Sequence, residues 1–193
     1  MALVDTLPAP LSAPSRRFFA VWDGWRRGRR LPERADINLE AFGDAKEGCF
    51  LVEVRSRDSI PILYAGPLIQ RYAGFDLTGY NYLDLTMREN RAFRAALTIE
   101  QLEQPCGFML YYWLRHPSGS IVPLEWVGAP ICETGAEKPT QILSCAVPLT
   151  KAEASGPVDP DSYLIADGMR FIDLGFGIPA IVPSAPQRLL NLE

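Results

Sequence analysis

Three long β-forming runs follow one another in this chain: Cys106–His116, Ser120–Cys132 and Thr140–Thr150. Only the turns Pro117-Ser118-Gly119 and Glu133–Pro139 separate them, so neighbouring runs pair as an antiparallel meander. An earlier pair of strands is written the same way. Cys49–Arg55 alternates and is rich in Val and Phe, Arg57-Asp58-Ser59 turns the chain, and Ile60–Ala65 returns. Between the two groups the pattern is helical. Gly66-Pro67 ends the strand and opens a helix, Leu68, Ile69 and Tyr72 recur at near-helical spacing, and Gly74 and Gly79 stop the chain. A longer helix over Arg88–Gln104 lines Ala92, Ala95, Ala96, Ile99 and Leu102 on one face, with Phe93 and Leu97 widening it, until Pro105 ends it. Two strands, helices, then three strands define an α+β fold: a five-stranded antiparallel sheet with helices on one face.

The flanks differ in character. Residues 1–14, rich in Pro, Ala and Leu, are expected to be extended or disordered. Residues 15–46 form an N-terminal helix and linker. Ser15 is the expected N-cap of a helix over 16–30, with Phe18, Phe19, Val21, Trp22 and Trp25 mostly on one face, and a further short turn is expected around 38–45. The sheet domain then occupies 47–150. Residues 151–193 are Pro-rich yet strongly apolar, notably Phe171–Val182, and are expected to be irregular and to pack on their own domain or on a partner.

The 193 residues suit one domain of about 100–150 residues with extensions. The formal charge of −4 conceals a basic segment at 15–34, where seven arginines meet only Asp23 and Glu33. The acidic remainder opposes nucleic acid as a partner, so the arginines read as a solvated face or as one docking an acidic protein. Cys49, Cys106, Cys132 and Cys145 have no C-x-x-C spacing and fit buried apolar positions in a reducing compartment. Nothing approaches the ~20 apolar residues of a membrane helix, and residues 1–14 lack the features of a secretory signal. The expected location is the cytoplasm.

Two stretches carry a family resemblance. Ile60–Leu85 runs from strand to short helix to a loop containing Leu77-Thr78-Gly79 and Leu83-Asp84-Leu85; Trp25-Arg26-x-Gly28-x-x-Leu31-Pro32-x-Arg34-x-Asp36 precedes the first strand. Over roughly residues 15–150 the chain resembles small single-domain bacterial PAS proteins. The resemblance implies the antiparallel strand order 2-1-5-4-3 and a sensory or signalling module that works through another signalling protein, without an output segment of its own. It also implies a homodimer. Fold alone does not fix function, and a ligand-free interaction adaptor or a small-molecule enzyme on a similar scaffold remain as alternatives.

Catalytic and cofactor signals are weak. His116, the only histidine, sits at a strand end, whereas haem-binding members of the resembled family take their ligand from the helix matching Arg88–Gln104, which has none. Flavin-binding light sensors of that fold carry a reactive cysteine in Gly-x-Asn-Cys-Arg; here Gly79-Tyr80-Asn81 is followed by Tyr82. Haem and flavin are both disfavoured, and no metal site is expected. Asp76, Asp84 and Glu89 read as turn and cap residues, and no nucleophile–base pair or phosphate loop is present, so no catalytic residues are assigned.

The aromatic content says more. Phe108, Leu110, Tyr112 and Leu114 alternate with Met109, Tyr111 and Trp113, so both faces of the sheet need cover. A small apolar ligand, or an ordinary packed core, would lie between the sheet and the helices of 64–104. Its walls are expected from Val52, Tyr64, Leu68, Tyr72, Phe93, Leu97, Phe108, Leu110 and Tyr112, if strand parity holds. On the opposite face, Phe18, Trp22 and Trp25 form one stripe, expected at a homodimer interface, with folding back onto their own sheet as the other outcome.

Overall fold

The computed structural model describes Leu3, Leu7 and residues 11–86, 88–115, 121–149 and 163–180, with the backbone alone at 89, 112–115, 121–122 and 163–168. His116 and Leu192-Glu193 lie outside this set. Helix α1 covers Ala13–Trp25; strands β1 (Cys49–Glu53) and β2 (Ile62–Ala65) form a hairpin; helix α2 is Pro67–Ala73 and helix α3 Arg91–Glu103. The strands β3 (Gly107–Arg115), β4 (Ile121–Cys132), β5 (Pro139–Pro148) and β6 (Tyr163–Ile172) complete the fold, and short 3-10 turns at Leu39–Gly48, Tyr82–Leu85 and Arg88–Asn90 fill the connections. Among the described residues, no helix is long and apolar enough to cross a membrane.

All six strands form one antiparallel sheet in the order β2-β1-β5-β4-β3-β6. The first five reproduce the expected 2-1-5-4-3. The sixth corrects the expectation of an irregular C-terminal segment: residues 163–172 pair with β3 from Leu114↔Tyr163 to Gly107↔Ile172. The prolines that suggested irregularity, Pro157, Pro160, Pro179, Pro183 and Pro186, all lie outside this run, so no proline breaks its ladder, which shifts register only between Met109 and Tyr111 and between Trp113 and Leu114.

Each face of the sheet carries its own core. Over one lie α2, α3 and the turns between, covering Phe50, Val52, Ile60, Ile62, Phe108, Leu110, Leu124 and Ile142. Over the other lie α1 and the Leu39–Gly48 turn, covering Leu51, Met109, Val127, Ile131, Leu143 and Ile172. Gly48 lets this turn run against β5, since a Cβ there would meet the Ala146 carbonyl oxygen at 2.0 Å.

Helix α1 starts earlier and ends sooner than its sequence suggested. Ser12, not Ser15, is the N-cap, accepting from the Ser15 N–H, and Ser15 is fully buried. Leu7 and Leu11 join the core of this face, so order extends into the segment expected to be loose. At the other end, Arg27 and Gly28 take positive φ (49° and 84°), which stops the helix after Trp25.

Phe18, Trp22 and Trp25 are 1%, 0% and 8% exposed within a single chain. Phe18 stacks on Phe42 at 5.3 Å, Trp25 meets Phe42 edge-on at 5.1 Å, and the Trp22 Nε1–H donates to the Pro130 carbonyl at 3.0 Å. Their assignment to a dimer interface is therefore corrected. The stripe finds its cover in cis because Phe42, in the turn after the linker, supplies the second half of the aromatic cluster.

Candidate functional site

The expected ligand walls divide between the two faces. Val52, Tyr72, Phe108 and Leu110 belong to the core beneath α2 and α3, and Leu68 packs against it half-buried. On α3, Leu97 is buried and Phe93 half-buried. Tyr112 lies on β3, but its side chain is outside the described residues. Tyr64 is on the wrong face for this group, packing with the α1 side. The reason is a bulge: Leu51 pairs Tyr64 while Val52 pairs Ile62, so Leu63 is an extra residue that reverses the parity of β2.

Around the first group the structure adds residues that alternation alone did not bring together. Phe50 meets Trp126 edge-on at 5.7 Å and Tyr82 at 5.8 Å. The Arg94 Nη1 donates to the Tyr82 hydroxyl at 2.5 Å, with the guanidinium also 5.3 Å from that ring. Burial raises the Tyr72 hydroxyl above its ordinary pKa. Near the start of α3, the Thr86 hydroxyl is buried without a hydrogen-bond partner, although the Thr86 backbone N–H donates to Leu83 and its carbonyl accepts from the Arg91 Nε.

The residues of the Gly79–Tyr82 stretch are occupied structurally. Asn81 Oδ1 accepts from the Ile60 N–H at 3.0 Å and the Leu83 N–H at 3.3 Å, while its Nδ2 donates to the Asp58 carbonyl at 2.7 Å. It fastens the loop to the β1–β2 hairpin. Asp76 accepts from the Thr78 N–H at 2.9 Å and from Gln70 at 3.3 Å; the backbone bond to Thr78 first, then its side chain, lowers the Asp76 carboxyl below its usual range. Asp84 pairs with Arg91 at 3.1 Å.

The arginine run folds onto its own carboxylates. Arg27 and Arg29 both reach Asp36, whose side chain is 9% exposed, and Arg26 pairs with Asp23 at 3.1 Å. Asp36 also accepts from the Glu33 N–H, and the Pro32 carbonyl accepts from the Cys132 N–H at 2.9 Å. Thus Arg26–Asp36 is a buttress against the end of β4. A pocket of about 170 Å³ opens beside it, lined by Arg29, Arg30, Leu31, Glu33, Cys132, Ala136 and Glu137. Burial first, and then Glu33, raises the Cys132 thiol, so this pocket does not present a thiolate nucleophile. Burial likewise pushes Cys106 up to about 12. Cys49, opposite Cys145 in register, is raised out of the thiolate range by its hydrogen bond to Cys145 and by burial. Among the described residues no group of three or more His, Cys, Asp or Glu is placed to hold a metal ion.

Two polar devices escaped the sequence reading. Glu125 on β4 is 1% exposed on the α1 side, where it accepts from the Ser12 N–H at 3.0 Å and the Ser12 hydroxyl at 2.5 Å. It holds the first turn of α1 from across the sheet; its signal was a lone carboxylate between Leu124 and Trp126 on an apolar strand. The second is a turn after β6. Asp173 Oδ1 accepts from the N–H groups of Gly175, Phe176 and Gly177 at 2.7, 2.9 and 2.9 Å, which lowers its carboxyl below the usual range, the Gly175 bond most.

An antiparallel 2-1-5-4-3 sheet with α2 and α3 over one face defines the class as an α+β domain with a helical layer over its sheet. The family follows from its sequence profile: the PAS domain matches residues 11–145, and the chain belongs to that family. Comparison with curated proteins gives no match. Among solved structures, the Rhodobacter sphaeroides LOV protein is similar at 17% identity, aligned over 56% of this chain and 62% of that one, with a TM-score of 0.39. The RsLOV d2 variant is similar at 17% identity, over 60% and 66%, with a TM-score of 0.42. The chain thus spans less than two thirds of the length of these structures.

Proposed function

We propose that this PAS domain senses a small, predominantly apolar ligand between its sheet and the α2–α3 layer and passes the signal to another signalling protein by direct contact. The observation that carries the ligand reading is Thr86, a residue 6% exposed whose buried hydroxyl has no hydrogen-bond partner. An orphaned buried hydroxyl costs about 1–3 kcal/mol, and a ligand polar atom would relieve it. The protein works in the cytoplasm without catalysis. Flavin adduct chemistry is set aside because Tyr82 stands where a light sensor would need cysteine, and haem because α3 carries no histidine. A homodimer, as the family resemblance implies, would use a surface other than Phe18, Trp22 and Trp25, which are covered in cis.

Native mass spectrometry and an absorbance spectrum of the purified protein test this reading together. Bound mass beyond the polypeptide, with no absorbance band above the aromatic region, is the expected result. Bare polypeptide mass under all purification conditions would favour the ligand-free adaptor, and a flavin or haem band would overturn the cofactor reading. A variant sharpens the test. Thr86→Val removes the orphan and should stabilise the ligand-free chain by about 1 kcal/mol in urea unfolding, while lowering the bound mass fraction. A destabilised Thr86→Val would show that the hydroxyl already has a protein partner in solution.

A further inference from the structure

Beyond the family-matched residues 11–145, the turn after β6 touches both helical layers. The Phe176 ring lies under two guanidinium groups, Arg26 at the C-cap of α1 at 5.5 Å and Arg30 in the segment just after it at 4.7 Å from its centroid. Arg26 also lies 5.7 Å from the Trp22 ring, so the turn is linked through one cation to the buried aromatic core of α1. The Phe176 carbonyl accepts from the side chain of Gln104 at 3.2 Å, and Gln104 is the C-cap residue of α3. Gly177 has φ +80°, and a Cβ there would meet the Gln104 Nε2 at 2.6 Å. The three bonds to Asp173 hold the turn in this shape.

We propose that Asp173–Gly177 is a clasp that mechanically couples α3, over the candidate ligand layer, to α1 on the opposite face of the sheet. The argument is geometric. At this corner the ends of the two helices lie on opposite faces of the sheet, and one five-residue turn holds a side chain from each. Its grip consists of cation–π contacts and one neutral hydrogen bond at the surface, weak enough to open without unfolding the core. A shift of the last turn of α3 pulls on the Phe176 carbonyl and moves its ring against Arg26 and Arg30. Opening the clasp also loosens β6, which covers the edge of β3 and would leave a row of backbone donors and acceptors for a partner strand. The coupling needs no ligand, so its test is independent of the sensing reading.

Hydrogen exchange on the full chain reads it by perturbing one helix and watching the other. In Gln104→Ala the amides of residues 22–30 should exchange about threefold faster, together with those of β6, while β1 and β2 keep their rates. Gly177→Ala leaves the α3 sequence untouched, breaks the joint from the turn side and should give the same pattern. Gln104→Ala combined with Phe176→Ala should loosen 22–30 no more than Phe176→Ala alone, because both cut one path. If either single variant loosens 173–177 while residues 22–30 exchange as in the wild type, or if the two effects on α1 simply add, the coupling is overturned.

Discussion

Trp22→Ala is expected to lower the unfolding free energy by about 3–5 kcal/mol, the range for emptying a fully buried aromatic site. Trp22 has no exposed surface, lies at the centre of the α1-side core, and also satisfies the Pro130 carbonyl. Alanine leaves both a void and a buried acceptor without its donor, and two such losses exceed simple transfer of the ring. Urea unfolding followed by circular dichroism measures the loss. Because Trp22 is covered within one chain, the size of the effect should not depend on protein concentration. A loss below ~1 kcal/mol would place α1 away from the sheet, since an undocked helix has no cavity to leave. A midpoint shift that grows with dilution would restore the interface between subunits.

Glu125→Ala comes next in size, at about 2–3 kcal/mol. The carboxylate is buried on the face of the sheet that α1 covers, and it holds both the N–H and the hydroxyl of Ser12. Charge-assisted bonds to a helix start combine a cap with a favourable position near the positive end of the helix dipole. The Tyr111 hydroxyl, raised by burial first and then by the Glu125 charge, shares the carboxylate and would lose it as well. Glu125→Gln keeps one acceptor and should cost about half as much. In the alanine variant, exchange should rise first at the amides of residues 12–18. Equal losses for Ala and Gln would mean that the effect is packing rather than capping.

Much of the fold was legible because it is written in local signals. Proline and glycine mark the turns; Pro67 opens α2, and Gly74, with φ +78°, closes it. Alternation on β3 sorted Phe108 and Leu110 from Met109 correctly, since the β3–β4 register is unbroken through these residues. Alternation failed on β2, where the extra Leu63 reversed Tyr64, because a bulge depends on the register of two strands and leaves no trace in one. The start of α1 was misplaced because the reading took Ser15 as the cap and passed over Pro14, which fits the first turn of a helix capped by Ser12; Glu125, distant in sequence, holds that cap. The C-terminal clasp could not be read at all. Its arginines, glutamine and phenylalanine are separated by most of the chain, and each looks ordinary alone. For the candidate site, sequence grouped Val52, Tyr72, Phe108 and Leu110 on one core face but could not find the orphaned Thr86 hydroxyl, which is defined only by what surrounds it.

The position of β1 beside β5 has a consequence for how the protein is made. The bond from the Ser144 hydroxyl to the Phe50 carbonyl joins residues 94 apart in sequence, and five rungs of backbone pairing lie beside it. The β1–β2 hairpin and the β3–β4–β5 meander can each form from neighbouring chain, whereas their seam cannot close until the end of β5 has left the ribosome. Until then β1 offers an open edge, and its Phe50, Leu51 and Val52 have no sheet to join. Closure of this seam should set the folding rate, placing the protein among slower domains of milliseconds or longer rather than with microsecond helical bundles. A nascent chain that stalls before Pro148 would be a target for chaperones that bind apolar strands.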